Sequence, residues 1–325
     1  MKRILVLAAL VLGLMAGRAD AQPAASDWPS KPIKLVVPFP AGSSTDVIMR
    51  ILAQMLGPRL GQTLVVENRG GASGMIGAEA IAHAMPDGYT VGIATTSTHA
   101  LAPSLSANLR YDPLKDFAPV GMIGSSPYVM VTYPGLETKS VQDFAALAKS
   151  KPGKLTFGSA GPGSLAHLAG VLFANMVGAE LTHVPYKSSG QSVTDLMSGR
   201  LDMQFSTIPP TLPLIRNGGM RALATTGARR TAVLPDLPTL TETGLAGYEA
   251  VLWIALVTPP AVPQPIVARL NRELVAVLDQ PEAKAALLAQ GMDADPGTPE
   301  ALHSRIASDI DKWRSVVAKA GVVAE

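Results

Sequence analysis

From Trp28 onward, short β-branched runs alternate with stretches of helical periodicity, the pattern of an α/β fold with mainly parallel strands. The first unit predicts a strand in IKLVVPF, a turn in PAGSST and a helix in DVIMRILAQMLGPRL. On that helix Val47, Ile48, Ile51, Leu52, Met55 and Leu56 recur as the buried stripe. A second unit runs from QTLVVENR through GGASG into MIGAEAIAHAM, and a third opens with DGYTVGIATTSTHALAPSL. After FAPVGMIGSSPYVMVTYP a new series begins at VQDFAALAKS. It passes through KLTFGSAGPGSLAHLAGVLFANM to LTHVPYKSSGQSVTDLMSGRLDMQFSTIPP and MRALATTG. The run YEAVLWIALVTPP and the helical stretches after it return to the first block. Crossings are expected near Ile123 to Val131 and near Ala222 to Gly227. Residues 22–124 with 228–325 then form one lobe and 125–227 the other, with a ligand cleft between them.

The N-terminus changes where this fold is expected to work. Lys2 and Arg3 precede an apolar run from Ile4 to Gly17, and Ala19-Asp20-Ala21 follows as an A-x-A site. This predicts a secretory signal peptide over residues 1–21, cleaved before Gln22, because the run is shorter than the roughly 20 residues of a membrane span. A periplasmic protein of 304 residues, 325 less 21, is expected. Losing Lys2, Arg3, Arg18 and Asp20 takes 27 basic and 25 acidic residues to 24 of each. A neutral chain gives no electrostatic case for nucleic acid or an anionic membrane. With no cysteine, disulfides, thiolate metal sites and cysteine nucleophiles are excluded.

Two turns carry the candidate chemistry, since ligands of open α/β sheets bind beyond the strand ends, where helix N-termini present free amides. The first is Ala41-Gly42-Ser43-Ser44-Thr45-Asp46, in which Ser43 or Ser44 can cap the helix and Asp46 is read as structural, folding back as in a capping box. The second is Ser159-Ala160-Gly161-Pro162-Gly163-Ser164, with Ser164 as N-cap and Leu165, Leu168, Leu172, Phe173 and Met176 pinning the helix behind it. Neither contains Lys or Arg, which suits a carboxylate bound by neutral donors and then released. Hydroxyl-rich stretches at Thr95 to His99 and at Lys187 to Ser192 add donors.

Two enzymatic alternatives use the same residues. Gly161, Gly163 and Ala166 fit the dinucleotide motif G-x-G-x-x-A, but the next strand ends in Lys187 where an acidic ribose ligand is required. Ser164 and His167 suggest an esterase, but there is no G-x-S-x-G elbow, and His167 is read as packed or hydrogen-bonded beside the turn. The histidines at 83, 99, 167, 183 and 303 lack H-x-x-x-H spacing, so no metal and no cofactor is expected.

The segments WPSKPIKLVVPFPAGSSTDVIMRILA, VVENRGGASGMIGAEAIAHAMPDGYTV, FGSAGPGSLAHLAGVLF, HVPYKSSGQSVTDLMSGRLD and LPDLPTLTETGLAGYEAVLWIAL together resemble the Bug-type periplasmic solute receptors of tripartite tricarboxylate transporters. The resemblance spans nearly all of the chain after residue 21. It implies a two-lobed type II periplasmic-binding-protein (Venus flytrap) fold, a monomer without catalysis, that closes on a small carboxylate and delivers it to the membrane subunits of a transporter. Carried over, the ligand-binding residues are Phe39, Ala41, Gly42, Ser43, Ser44 and Thr45 from the first turn, and Ser159, Gly161, Gly163 and Ser164 from the second. Thr95, Thr98, Tyr186 and Ser188 complete the lining. Ser43, Ser188 and Ser192 stand where members commonly carry glycine or a small apolar residue, which implies a narrower pocket with more hydroxyls.

Overall fold

The structure, a computed structural model, describes residues 28–186 and 189–322; the expected signal segment and the candidates Lys187 and Ser188 lie outside the described residues. Strands β1 (Ile33–Val37), β2 (Leu64–Asn68) and β3 (Thr90–Thr95) alternate with α1 (Ser44–Leu60) and α2 (Met75–Ala82). β3 runs into a π-helical turn, Thr96–Leu101, and then α3 (Ala102–Leu105). β4 (Ala118–Thr132) leads to α4 (Val141–Ser150), β5 (Thr156–Ser159), α5 (Leu165–Val177), β6 (Thr182–Pro185) and α6 (Ser189–Met197). These are followed by β7 (Met203–Thr207), α7 (Ile208–Arg216) and β8 (Arg221–Thr225). Last come β9 (Val251–Thr258), α8 (Gln264–Leu278), α9 (Pro281–Ala289), the two-residue β10 (Asp293–Ala294) and α10 (Pro299–Ala320).

The strand order is β2-β1-β3-β9-β4-β7-β5-β6, with β8 and β10 also paired to β4. Parallel pairing holds toward the two ends, at β1–β2, β1–β3, β5–β6 and β5–β7. At the centre the strands are antiparallel, β9 to β3 and β4, and β4 to β7 and β8. The expectation of mainly parallel strands fails there because β4 carries the chain out of the first sheet and β9 brings it back, so the two run in opposite senses. β4 serves both sheets: Ala118 to Pro127 pairs with β9, and Tyr128 to Thr132 pairs with β7 and β8. Between β8 and β9 the chain stays with the second sheet. Leu240 N donates to Thr225 O, and the Tyr248 hydroxyl donates to Ala169 O at 2.8 Å.

Apolar periodicity explains how the helices seat. On α1 the buried stripe is Ile48, Met49, Leu52, Leu56 and Leu60, while Val47, Ile51 and Met55 flank it half-buried. It packs with α8 and α9 over Ile33, Leu35 and Val37. Gly61, at φ 79°, closes α1 with a left-handed cap. On α5 the stripe is Leu165, Leu168, Ala169, Phe173 and Val177, and the expected Met176 lies exposed. The apolar cluster of the second sheet continues through Trp253, Trp313, Val316 and Val317 into the first, because α10 packs against α5 and against the π-helical turn at once. Asp309, buried on α10, accepts from Trp253 Nε1 at 2.8 Å and is neutralised by Arg305 and Lys312, which fastens this helix to β9. Among the described residues no helix is long and apolar enough to cross a membrane.

Candidate functional site

The first turn is held from behind by a carboxylate. Asp46, only 3% exposed, accepts from the Gly42 amide at 2.9 Å, from Arg50 Nε at 3.0 Å and from Asn68 Nδ2 at 2.8 Å. Asn68, the last residue of β2, also donates to Phe39 O at 3.0 Å. Burial alone would raise the Asp46 carboxyl. The bonds from Arg50, Gly42 and Asn68, with the Arg50 charge, overcome this and hold it at about 2. Ser43 Oγ caps α1 by accepting from Asp46 N at 3.3 Å. Gly42 has φ +81°, which explains the glycine. Asp46 folds back on the turn as a structural group, as expected, but the reciprocal capping box is not formed: its carboxylate takes the Gly42 amide, while Ser43 N donates to Pro40 O. Ala41, Gly42 and Ser44 are exposed, Ser43 and Thr45 half-buried, and the amides of Ser44 and Thr45 have no hydrogen-bond partner among the described residues.

The second turn differs from the expectation. Its glycine amides are used internally: Gly161 N donates to Ser159 Oγ at 3.1 Å, Gly163 N to His167 Nδ1 at 3.2 Å, and Ser164 N to Gly161 O at 3.3 Å. Ser164 Oγ donates to Gly161 O at 2.7 Å and accepts from His167 N as N-cap of α5. These groups rigidify the turn. Among the described residues, the donors left over lie one step on, at the amides of Leu165 and Ala166 in the first turn of α5. Beneath the turn, His167 stacks on His183 with ring centroids 3.9 Å apart, beside Phe157, and Ser159 Oγ lies 2.7 Å from His183 Nε2. Burial, and then the neighbouring His183, holds His167 down at about 4, and burial lowers His183 as well.

Two contacts bring the lining together. Around the first turn, Phe39, Gly74 and Thr98 converge: a Cβ on Gly74 would stand 2.7 Å from Thr98 Cγ2 and 3.2 Å from Phe39 Cζ. Toward the second, α3 continues from the π-helical turn and sets Leu105 against Gly163, where a Cβ would come within 3.3 Å of Leu105 Cδ2. The hydroxyls of Thr95 and Thr98, expected as donors, are instead buried and consumed. Thr98 Oγ1 lies 3.1 Å from Thr95 Oγ1 and 2.9 Å from His99 Nδ1. The cause is the capping geometry of the π-helical turn, in which Thr95 and Thr98 cap each other reciprocally. Tyr186 packs over Gly158 next to the second turn, and its hydroxyl donates to Asp195 at 2.9 Å. Sequence reasoning missed Asn68, Gly74, Leu105 and His183. Only the register Phe157↔His183 between β5 and β6 puts His183 under the turn.

The enzymatic alternatives find no support in this geometry. No acidic residue ends β6, and Glu180 lies exposed before it. The His167 ring faces Gly163 rather than Ser164, and Ser159 is 2% exposed, with no carboxylate bonded to His183 among the described residues.

The sequence profile of the tripartite tricarboxylate transporter family receptor matches residues 48–322. The chain belongs to this family. Its members are solute receptors, not enzymes. Protein BugT of Bordetella pertussis is 38% identical over 314 residues, covering 96% of each chain. Among solved structures, the periplasmic binding protein BugD is 33% identical with a TM-score of 0.69, covering 92% of this chain and all of its own. A structure of an R. palustris protein with adipate is 35% identical with a TM-score of 0.73, covering 92% of this receptor and 100% of that chain. The architecture of this receptor is accordingly the two-lobed periplasmic-binding-protein fold.

Proposed function

We propose that this receptor holds a carboxylate of a small organic acid between Ala41–Thr45 and Ser159–Ser164, and that its lobes close on the solute. The observation that carries this is the pair of helix N-termini whose first-turn amides have no partner among the described residues, at Ser44 and Thr45 and at Leu165 and Ala166. The similarity to the adipate-bound structure supports an acid as ligand. Phe39 and Leu105 supply apolar lining beside the amides, suited to a carbon chain, with the buried Thr98 methyl packed behind Phe39 and Gly74. Thr95, Gly161, Gly163 and Tyr186 then shape and stiffen the site.

The lobes in this proposal are divided within β4 after Pro127. The contacts of Leu240 and Tyr248 with the second sheet support a return crossing after Tyr248, later than the 227 expected from sequence. Export through cleavage after Ala21, and delivery of the solute to membrane subunits of a tripartite transporter, complete the function.

Thermal unfolding of the mature chain against mono-, di- and tricarboxylates and their neutral amides tests this. A ligand at 100 times its dissociation constant stabilises by about 2.7 kcal/mol. An acid that raises the midpoint while its amide does not is the expected result. Equal shifts by acid and amide, or none across the panel, refute carboxylate recognition at these turns.

A further inference from the structure

His167 does something that a helix residue behind a binding turn need not do. Its Nδ1 accepts the Gly163 amide at 3.2 Å. An imidazole nitrogen can accept only when it carries no proton, so this contact requires the neutral ring with its proton on Nε2. A backbone N–H cannot turn round to become an acceptor, so a proton on Nδ1 leaves two donors facing each other and the bond is lost. The ring is held flat against His183, 3.9 Å away between centroids and 25° from parallel, with Phe157 completing the cluster. A charged His167 would therefore also face a second imidazole across a short gap, in a largely apolar setting.

His183 is under a different constraint. Its Nε2 meets Ser159 Oγ at 2.7 Å, and a hydroxyl can either donate or accept. Because Ser159 Oγ also lies 3.0 Å from Gly161 O, its hydroxyl donates to that carbonyl when His183 becomes a donor. Of the two rings, only His167 is bonded in a way that one protonation state forbids. The elements around the pair face it with neutral groups: β5 through Phe157 and Ser159, β6 through His183 itself, and α5 through its first turn. Among the described residues no carboxylate, ammonium or guanidinium bonds to either ring.

We propose that His167 is the positioning residue of the second binding turn, clamping Gly163 through an unprotonated Nδ1 while His183 fixes the ring, and that acid opens this clamp and loosens the solute. This rests on the carboxylate site described above. Burial and the neighbouring ring keep His167 neutral down to about pH 4, so the clamp is closed near neutrality.

The test uses the mature chain and two variants. In His167→Asn the amide oxygen stands near the place of Nδ1 and cannot titrate, whereas His167→Phe keeps a ring to stack and has no acceptor. Imidazole nitrogen shifts should show His167 as the Nε2–H tautomer at pH 7. Amide exchange should show Gly163 about tenfold less protected in the Phe variant, the effect of one lost hydrogen bond, and unchanged in the Asn variant. On acidification the wild type should lose Gly163 protection with His167 titration, and the Asn variant should keep it. Equal Gly163 protection in all three proteins, or a protonated His167 Nδ1 at pH 7, overturns the clamp. Loss of protection in wild type and Asn variant together overturns the acid trigger. Calorimetry with adipate and malate reads the solute link separately. If neither these acids nor any other of the carboxylate panel binds while Gly163 behaves as stated, the clamp stands and the carboxylate reading falls. If an acid binds wild type and the Phe variant equally although Gly163 is unprotected, the turn does not govern the solute.

Discussion

Asp46→Asn tests whether the first turn is built on a buried negative charge. The substitution keeps the shape of the side chain and replaces one acceptor oxygen by an NH2 group. Because Oδ1 receives Asn68 and Oδ2 receives both Gly42 and Arg50, either orientation of the amide points a donor at a donor. The carboxyl sits at about 2 against an ordinary 3.8, and that difference corresponds to about 2–3 kcal/mol favouring the ionised form in the folded chain. Arg50 is half-exposed and its share is screened, so the weight falls on the Gly42 and Asn68 contacts. We expect Asp46→Asn to destabilise by about 3 kcal/mol, read as a fall of roughly 6 °C in unfolding midpoint at pH 7. The pH dependence has a fixed sign. A lowered carboxyl contributes stability that is complete above the unfolded value and is lost as pH falls from 3.8 toward about 2. Wild type should therefore lose its advantage over the variant across that interval in urea titrations. A loss below about 1 kcal/mol at pH 7, or an advantage unchanged at pH 2, would refute the idea that ionised Asp46 organises the turn.

Three further outcomes follow from the packing. His99 is fully buried, with its Nε2 unpartnered among the described residues and its own burial holding it down at about 3. Since the unfolded ring binds a proton first, stability should fall by about 2 kcal/mol between pH 6.5 and 5 in urea titrations, and His99→Phe should flatten that slope. Gly170→Ala should cost about 1–3 kcal/mol, because its Cβ would stand 2.2 Å from the Phe157 ring, and a neutral effect on the unfolding midpoint would show that α5 can lift from β5. Gly163→Val meets both a φ of +74° and Leu105 at 3.3 Å, so calorimetry should show solute affinity reduced more than tenfold; unchanged affinity would remove the turn from the site.

Local signals made the turns and their helices readable. Ser43 and Ser164 stand at N-caps, Gly42, Gly161 and Gly163 take positive φ, and the apolar stripes bury as their spacing requires. What the string of residues does not carry is which partner each polar group finds. The Gly163 amide goes to a histidine four positions on, and the Thr98 hydroxyl goes to Thr95 and His99, choices set by side-chain geometry rather than by residue type. The parallel pattern misled at β4 and β9 for a similar reason: a strand buried on both faces reads alike in either direction. The place of His183 depends on the register of two strands more than twenty positions apart, as its contact with Ser159 at a separation of 24 shows.

The central position of β9 bears on how the chain acquires its shape. Trp253 N donates to Thr96 Oγ1 across 157 positions, and Thr96 Oγ1 in turn donates to Val251 O. The sheet formed by β1, β2 and β3 thus lacks its inner neighbour, and α1 lacks α8 and α9, until the last quarter of the polypeptide has been made. The strands from β5 to β8 find their sheet partners in the end of β4 and residues up to Tyr248, and of this block α5 is packed by the later α10. Synthesis and emergence from the N-terminus therefore favour an order in which the middle of the sequence condenses first and the beginning waits for the end. Until α10 docks, Trp253 and the π-helical turn are uncovered, so a chain cut short before Pro299 would be a target for chaperones and proteases rather than a weakened receptor.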